Sequence, residues 1–185
     1  VLLAPSLLLC LAIRIESSGN PIYSQKRVGR IGRSGEVETF DMYKFRSMHK
    51  DADARLAGLK DLNEADGPLF KIKDDPRVTR IGRFIRKHSI DEPPQFANCL
   101  LGQLSCVGPR PPLPSEVAQY DERAMRRLSV KPGLTGYWQV SGRSDTTFDD
   151  MVAMDLAYIE ERSFLVDLKV IAKTVVTMLD GKGAC

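Results

Sequence analysis

The first thirteen residues, Val1 to Ile13 (VLLAPSLLLCLAI), carry no charge and are interrupted only by Pro5 and Ser6. As a helix this run spans about 20 Å. The hydrocarbon core of a bilayer is about 30 Å thick, so the run is too short to cross one alone. No basic stretch precedes it and there is no initiator Met, which argues against a cleaved secretory leader and for a missing upstream part. Two readings stay open from the run itself: a buried core helix, or a segment that dips into one leaflet.

The rest of the 185 residues has ordinary globular character, with 43 % apolar and 28 % charged residues. That suits one domain with a real core and excludes wholesale disorder. The net charge of +3 is too small to imply nucleic-acid binding unless charge is locally concentrated. Cysteines stand at 10, 99, 106 and 185 without CxxC spacing, beside only His49 and His88. Neither a structural zinc site nor a disulfide scaffold is expected, and a reducing compartment follows.

The periodicity predicts an α+β fold, mostly helical with a small β-hairpin. Arg27–Ile31 and Val37–Phe45 flank a Ser34-Gly35 turn. Ala52, Leu56, Leu59 and Leu62 share a helical face between His49 and Asn63. Leu69–Lys73 reads as a short strand and Asp74-Asp75-Pro76 as a turn. Arg77–His88 has helical spacing, and a helix from near Pro93 stops at Gly102. Leu104–Val107 is strand-like and Gly108–Pro114 a rigid proline loop. Ser115–Leu128 reads as one polar helix and Lys131–Gly142 as loop and strand. Thr147–Glu161 and Ser163–Asp180 are helices, the second closed by Gly181. RVGRIGR at 27–33 and RVTRIGR at 77–83 differ at one position, but their flanks diverge, so they are convergent basic clusters.

Lys71–His88 holds seven cations against Asp74 and Asp75, a net of +5. Arg77, Arg80, Arg83 and Arg86 recur every third residue and form a stripe on a helix. Such a stripe suits phosphate oxygens or anionic lipid heads; a solvated face explains it equally well. Asp91 and Glu92 follow directly. Adjacent carboxylates beside guanidinium groups offer a nucleophile for phosphorus and a ligand for a divalent cation. The arginines are expected to keep Asp91 ionised. On local pattern alone Asp91 reads first as an N-cap ahead of Pro93, and the two roles are compatible. In Gly108-Pro109-Arg110-Pro111-Pro112 the prolines stiffen the backbone that carries Arg110, which either aims a guanidinium at an anion or makes a plain surface turn. Lys44 and Arg46 alternate with Tyr43 and Phe45, so both cations share a strand face. Arg143 after Gly142 can complete an anion pocket. Asp145, Asp149, Asp150 and Asp155 read as helix-start or surface acids.

Seven segments in order then carry a resemblance. They are Gln25-Lys26-Arg27-Val28-Gly29, Tyr43-Lys44-Phe45-Arg46-Ser47-Met48, Asp75-Pro76-Arg77-Val78-Thr79-Arg80-Ile81-Gly82, Ser89-Ile90-Asp91-Glu92-Pro93-Pro94-Gln95, Val107-Gly108-Pro109-Arg110-Pro111, Val130-Lys131-Pro132-Gly133-Leu134-Thr135-Gly136 and Val140-Ser141-Gly142-Arg143. With them the sequence resembles the bacterial sugar transferases, the monotopic phosphoglycosyl transferases. The ending Gly181-Lys182-Gly183-Ala184 is similar to the exopolysaccharide-priming branch.

The resemblance implies that residues 1–18 are the rear half of a membrane re-entrant helix and 19–185 the catalytic domain. It implies transfer of a sugar-1-phosphate, a glucose or galactose phosphate, from a UDP-sugar to undecaprenyl phosphate. UMP would leave, and the reaction would run at the cytoplasmic face of the bacterial inner membrane. Asp91 would be the nucleophile and Glu92 the Mg²⁺ ligand. Arg86, Arg110, Lys44, Arg46 and Arg143 would grip phosphates or the nucleotide. Nucleic acid is not an expected partner. Pro93, Leu101 and Gln103 differ from the residues usual in the family, and Pro93 restricts Glu92 to extended or turn geometry. A non-catalytic membrane-surface module binding anionic lipid or nucleic acid through the stripe, and a soluble Mg²⁺-dependent phosphohydrolase, are the other readings.

Overall fold

A computed structural model describes residues 3–32, 35–141 and 146–180. The fold is α+β, with helices around two small sheets. Helix α1 (Leu3–Glu16) contains Pro5 in its first turn, where the missing N–H has no intrahelical partner to lose. Its inner side, Leu9, Cys10 and Ile13, packs against Ile22, Phe45, Ile81, Ile85 and Ile90. Its outer side exposes Leu7, Leu8, Leu11 and Ile15. Among the described residues, no helix is long and apolar enough to cross a membrane.

Strands β1 (Ile22–Ile31) and β2 (Val37–Phe45) pair antiparallel, with a bulge between Val28 and Ile31. Tyr23 lies opposite Lys44 and Arg27 opposite Phe40. Alternation puts Tyr23, Arg27, Phe40 and Lys44 on one hairpin face. Helix α2 (Ala52–Leu56) tightens into a 3-10 turn at Ala57–Leu62, so the single helix expected to Asn63 is shorter and Leu62 is exposed. The strand expected at Leu69–Lys73 is a loop. The Asn63 side chain takes its backbone bonds: Oδ1 accepts from the Lys71 amide at 2.8 Å and Nδ2 donates to the Leu69 carbonyl at 3.1 Å.

Helix α3 (Arg80–Lys87) starts at an N-cap, Thr79, whose hydroxyl accepts from the Gly82 amide. Arg77 therefore precedes the helix, and the four-arginine stripe is split. Gly82 is where α3 crosses the chain at Ser47: a Cβ there would lie 1.9 Å from the Ser47 carbonyl oxygen. Helix α4 (Gln95–Leu100) follows Pro94. Strand β3 (Ser105–Val107) pairs parallel with β4 (Gly133–Thr135).

Between them, the polar helix expected over Ser115–Leu128 is three short pieces. They are α5 (Pro114–Val117), α6 (Glu122–Met125) and a 3-10 turn (Arg126–Ser129). Asp121 caps α6 by accepting from the Ala124 amide at 2.7 Å, and this restarts the chain. Residues 137–141, expected as loop and strand, form helix α7 (Tyr137–Ser141). Helix α8 (Phe148–Glu161) opens with a Thr147–Asp150 capping box, and α9 (Phe164–Asp180) completes the fold. Val107, Val140, Tyr158 and Val170 make one core. Phe40, Met42 and Leu104 make another under the hairpin. Gly181 and the ending that follows it lie outside the described residues.

Candidate active site

The acid pair is positioned by the way α3 ends. The Ser89 amide donates to the Arg86 carbonyl at 3.0 Å and the Ile90 amide to the Ile85 carbonyl at 2.8 Å. This is a Schellman end, with Ile90 packed beside Ile85. Its left-handed position holds Ser89, φ 52°, where glycine is usual. A non-glycine residue there costs about 1–2 kcal/mol, and such strain gathers at functional sites. The chain then turns back to the hairpin, and the Phe45 amide donates to the Asp91 carbonyl at 2.8 Å.

That bond brings Lys44 beside the acids. Its Nζ lies 3.1 Å from Glu92 Oε1 and 3.9 Å from Asp91 Oδ2. Asp91 is buried, 7 % exposed, whereas the Glu92 side chain is 40 % exposed. Burial pushes the Asp91 carboxyl above its usual range; Lys44 and Arg86 pull it back and Glu92 adds to the rise. Desolvation is the largest of these influences, and Lys44 and Arg86 act against it in favour of the carboxylate. The N-cap alternative is not adopted: Pro94 occupies the N-cap of α4, with no side-chain cap bond. Glu92 is in turn geometry, its carbonyl accepting from the Gln95 amide at 2.8 Å, as Pro93 requires.

Of the stripe, Arg86 is the arginine whose charge acts on Asp91. Its Nε donates to Ser47 Oγ at 2.8 Å, and burial lowers its pKa against the opposing effect of Asp91. Arg77 is spent on Asp75, with Nε–Oδ1 at 2.9 Å and NH2–Oδ2 at 2.6 Å. Arg80 and Arg83 face outward. Arg46 does not share the direction of Lys44, because β2 ends at Phe45; its guanidinium donates to the carbonyls of Ser17 and Ser18 and so holds the end of α1. Arg143 lies outside the described residues.

Arg110 belongs to a second cluster on the same hairpin face. Arg27 donates through NH1 to the Pro111 carbonyl at 3.0 Å. Arg27 lies four residues along β1 from Lys44's partner Tyr23, about 13 Å on a strand. Burial, then the neighbouring Arg110 guanidinium, pushes Arg27 down to about 9, so it stays charged at neutral pH. Arg110 NH1 lies 3.3 Å from Glu116 Oε2, and its guanidinium sits 6.0 Å from the centre of the Trp138 ring. Behind it, Arg127 and Asp155 form a pair at 2.7 Å, each 1 % exposed. Asp155 is thus a core acid, not the surface residue its position in a helix suggests.

Sequence reasoning missed Glu116, Arg127 and Ser47. Only Glu116 had a local signal, Pro114 followed two positions later by an acid at a helix start.

The carboxylates of Asp91 and Glu92 are hard oxygen donors, and Glu92 is open. Among the described residues no group of three metal-ligating side chains occurs. Mg²⁺ commonly takes one or two protein carboxylates and completes its shell from phosphate and water. The donor set present fits that mode, with Lys44 Nζ marking where positive charge is already held.

Fold and site together set a buried carboxylate beside Lys44 and Arg86, at the end of a helix that packs against α1. The bacterial sugar transferase profile matches residues 1–181, and the chain belongs to that family. It is 50 % identical over 173 residues to "Galactosyl transferase CpsE" of Streptococcus agalactiae, covering 92 % of this chain and 37 % of that protein. It is 39 % identical over 193 residues to "Undecaprenyl-phosphate galactose phosphotransferase" of Salmonella typhimurium, covering 100 % of this chain and 39 % of that one. With "Exopolysaccharide production protein ExoY" of Sinorhizobium fredii it shares 36 % identity over 189 residues, covering 100 % of this chain and 81 % of the relative. The chain spans under two-fifths of the first relative's length and about two-fifths of the second's.

Proposed function

We propose that this chain transfers a hexose-1-phosphate from a UDP-sugar to undecaprenyl phosphate, with release of UMP. The reaction would prime exopolysaccharide or glycan assembly at the cytoplasmic leaflet of a bacterial cell membrane. The observation that carries the reading is Asp91, buried beside Lys44 and Arg86 and one packing layer from α1, whose outer face is apolar. A soluble anionic donor and a lipid-borne anionic acceptor both have reason to come there. On this reading residues 1–18 include the rear half of a re-entrant helix.

A carboxylate oxygen of Asp91 attacks the phosphorus that bears the sugar. The P–O bond to UMP breaks and UMP leaves with the electron pair. A phosphate oxygen of undecaprenyl phosphate then attacks the same phosphorus, the bond to Asp91 breaks, and the free carboxylate returns with the lipid-linked diphosphate sugar. Lys44 and Arg86 offset the charge that gathers as two anions meet a carboxylate. Arg110 grips the donor farther along the hairpin face. Glu92 would hold Mg²⁺, whose charge, when bound, offsets that of the donor phosphates.

The test is UMP release from UDP-galactose and UDP-glucose, with undecaprenyl phosphate in membranes; galactose comes first because two relatives are named for it. Asp91→Asn should abolish release, and intact-mass spectrometry without acceptor should find a sugar-phosphate adduct on the parent chain. Full turnover in Asp91→Asn removes the nucleophile. Turnover without lipid, yielding free sugar phosphate, replaces the transferase by a phosphohydrolase.

A further inference from the structure

The proline loop that carries Arg110 is tied down at four successive carbonyls. Pro109 O accepts from the Gly133 amide at 2.9 Å and Pro112 O from the Val28 amide at 2.9 Å. Arg110 O accepts from Arg127 NH2 at 3.3 Å, and Pro111 O from Arg27 NH1 at 3.0 Å. Two of these donors are buried guanidiniums, one fixed by Asp155. The backbone is therefore settled, and the remaining freedom of Arg110 lies in its side chain, which is 26 % exposed.

Glu116 removes much of that freedom. Its side chain is 4 % exposed. One oxygen, Oε2, accepts both from the Leu113 amide at 2.7 Å and from Arg110 NH1 at 3.3 Å. Oε1 lies 3.5 Å from the same NH1. The carboxylate is thus anchored to the start of α5 and holds the guanidinium by one corner. Among the described residues, Arg110 Nε and NH2 donate to no side chain or carbonyl that would compete with a ligand. Trp138 lies beside the same group.

We propose that Glu116 is a positioning residue: it fixes the Arg110 guanidinium by NH1 so that Nε and NH2 face an oxyanion of the donor. This rests on the reading above that Arg110 contacts the donor. An arginine ordered in advance loses less rotamer freedom on binding, so the gain falls on donor affinity. Binding lost equally from ground and transition states raises KM and leaves kcat in place.

The experiment measures UMP release and thermal melting for Glu116→Gln, Arg110→Ala and the double variant in the full chain. Gln keeps an oxygen for the Leu113 amide, so the melting temperature should stay close to the parent's. KM for the UDP-sugar should rise about 3- to 10-fold with kcat within twofold. In the Arg110→Ala background, Glu116→Gln should add nothing to KM, because the positioned group is gone while the bond to the Leu113 amide is kept. Glu116→Asp, one methylene shorter, should recover little. An unchanged or lower KM in Glu116→Gln overturns the proposal, as does a full additional effect in the double variant. If Arg110→Ala itself leaves KM and kcat unchanged, the donor reading of Arg110 falls, a result separable from failure at Glu116 alone.

Discussion

The amide of Phe45 donates to the carbonyl of Asp91 at 2.8 Å, joining the end of β2 to the start of the acid pair. Neighbours in sequence on either side of that bond, Lys44 and Glu92, then meet at 3.1 Å. A main-chain bond has set a side-chain contact across more than forty residues.

Lys44→Met should cut UMP release by about 10²-fold, the scale of losing one charge-stabilising donor. The side chain fills similar space, so the melting temperature should hold. Activity within threefold of the parent would remove Lys44 from the machinery.

Gly82→Ala should destabilise the protein by about 2–3 kcal/mol, because the added Cβ meets a backbone carbonyl that has little room to retreat. The displacement of α3 also carries Arg86 away from Ser47, so activity should fall together with the melt. Calorimetry and UMP release on the same preparation read both.

Ser89→Val should be worse tolerated than Ser89→Gly. A β-branched residue is a poor fit to the left-handed position at φ 52°, whereas glycine adopts it freely. Valine should lower the melting temperature by several degrees and reduce turnover. Equal melts for the two variants would show that the turn relaxes.

Asp75 supplies a pH-dependent test. Burial alone would raise its carboxyl, but the side-chain and backbone hydrogen bonds from Arg77 outweigh it and hold the group below its usual range. The native state therefore binds fewer protons than the unfolded chain. The stabilisation is present above about pH 4 and lost as pH falls through the depressed native value. Asp75→Asn should lower the melting temperature at pH 7 by roughly 5 °C, with the gap to the parent closing toward pH 3. A constant gap from pH 7 to pH 3 would assign the acid sensitivity elsewhere.

The hairpin and the two long terminal helices were legible because period and capping agree over many residues, as at Thr147 and Asp150. The acid pair was legible as two adjacent carboxylates close behind a run of cations. Its surroundings were legible only in part. Thr79 moved the helix start past Arg77, and no count of threes reveals that a stripe will be broken by a cap. Asp121 divided the polar helix in the same way. The Arg127–Asp155 pair joins residues 28 apart, a contact no local pattern encodes. Asp91's burial belongs to the same class: it comes from the turn after α3 folding back onto the hairpin at Phe45.

Helix α1 ends in two attachments, one to the hairpin and one to α3. Arg46 holds the Ser17 and Ser18 carbonyls, and the Glu16 carboxylate accepts from the Arg80 and Ile81 amides at 2.7 and 2.9 Å. Helix α1 is therefore tied to both elements that flank the acid pair, the strand of Lys44 and the helix of Arg86. If α1 sits in a lipid leaflet as proposed, the amphiphile around it reaches the acid pair through those bonds, and UMP release measured in lipid, detergent and polymer discs should differ.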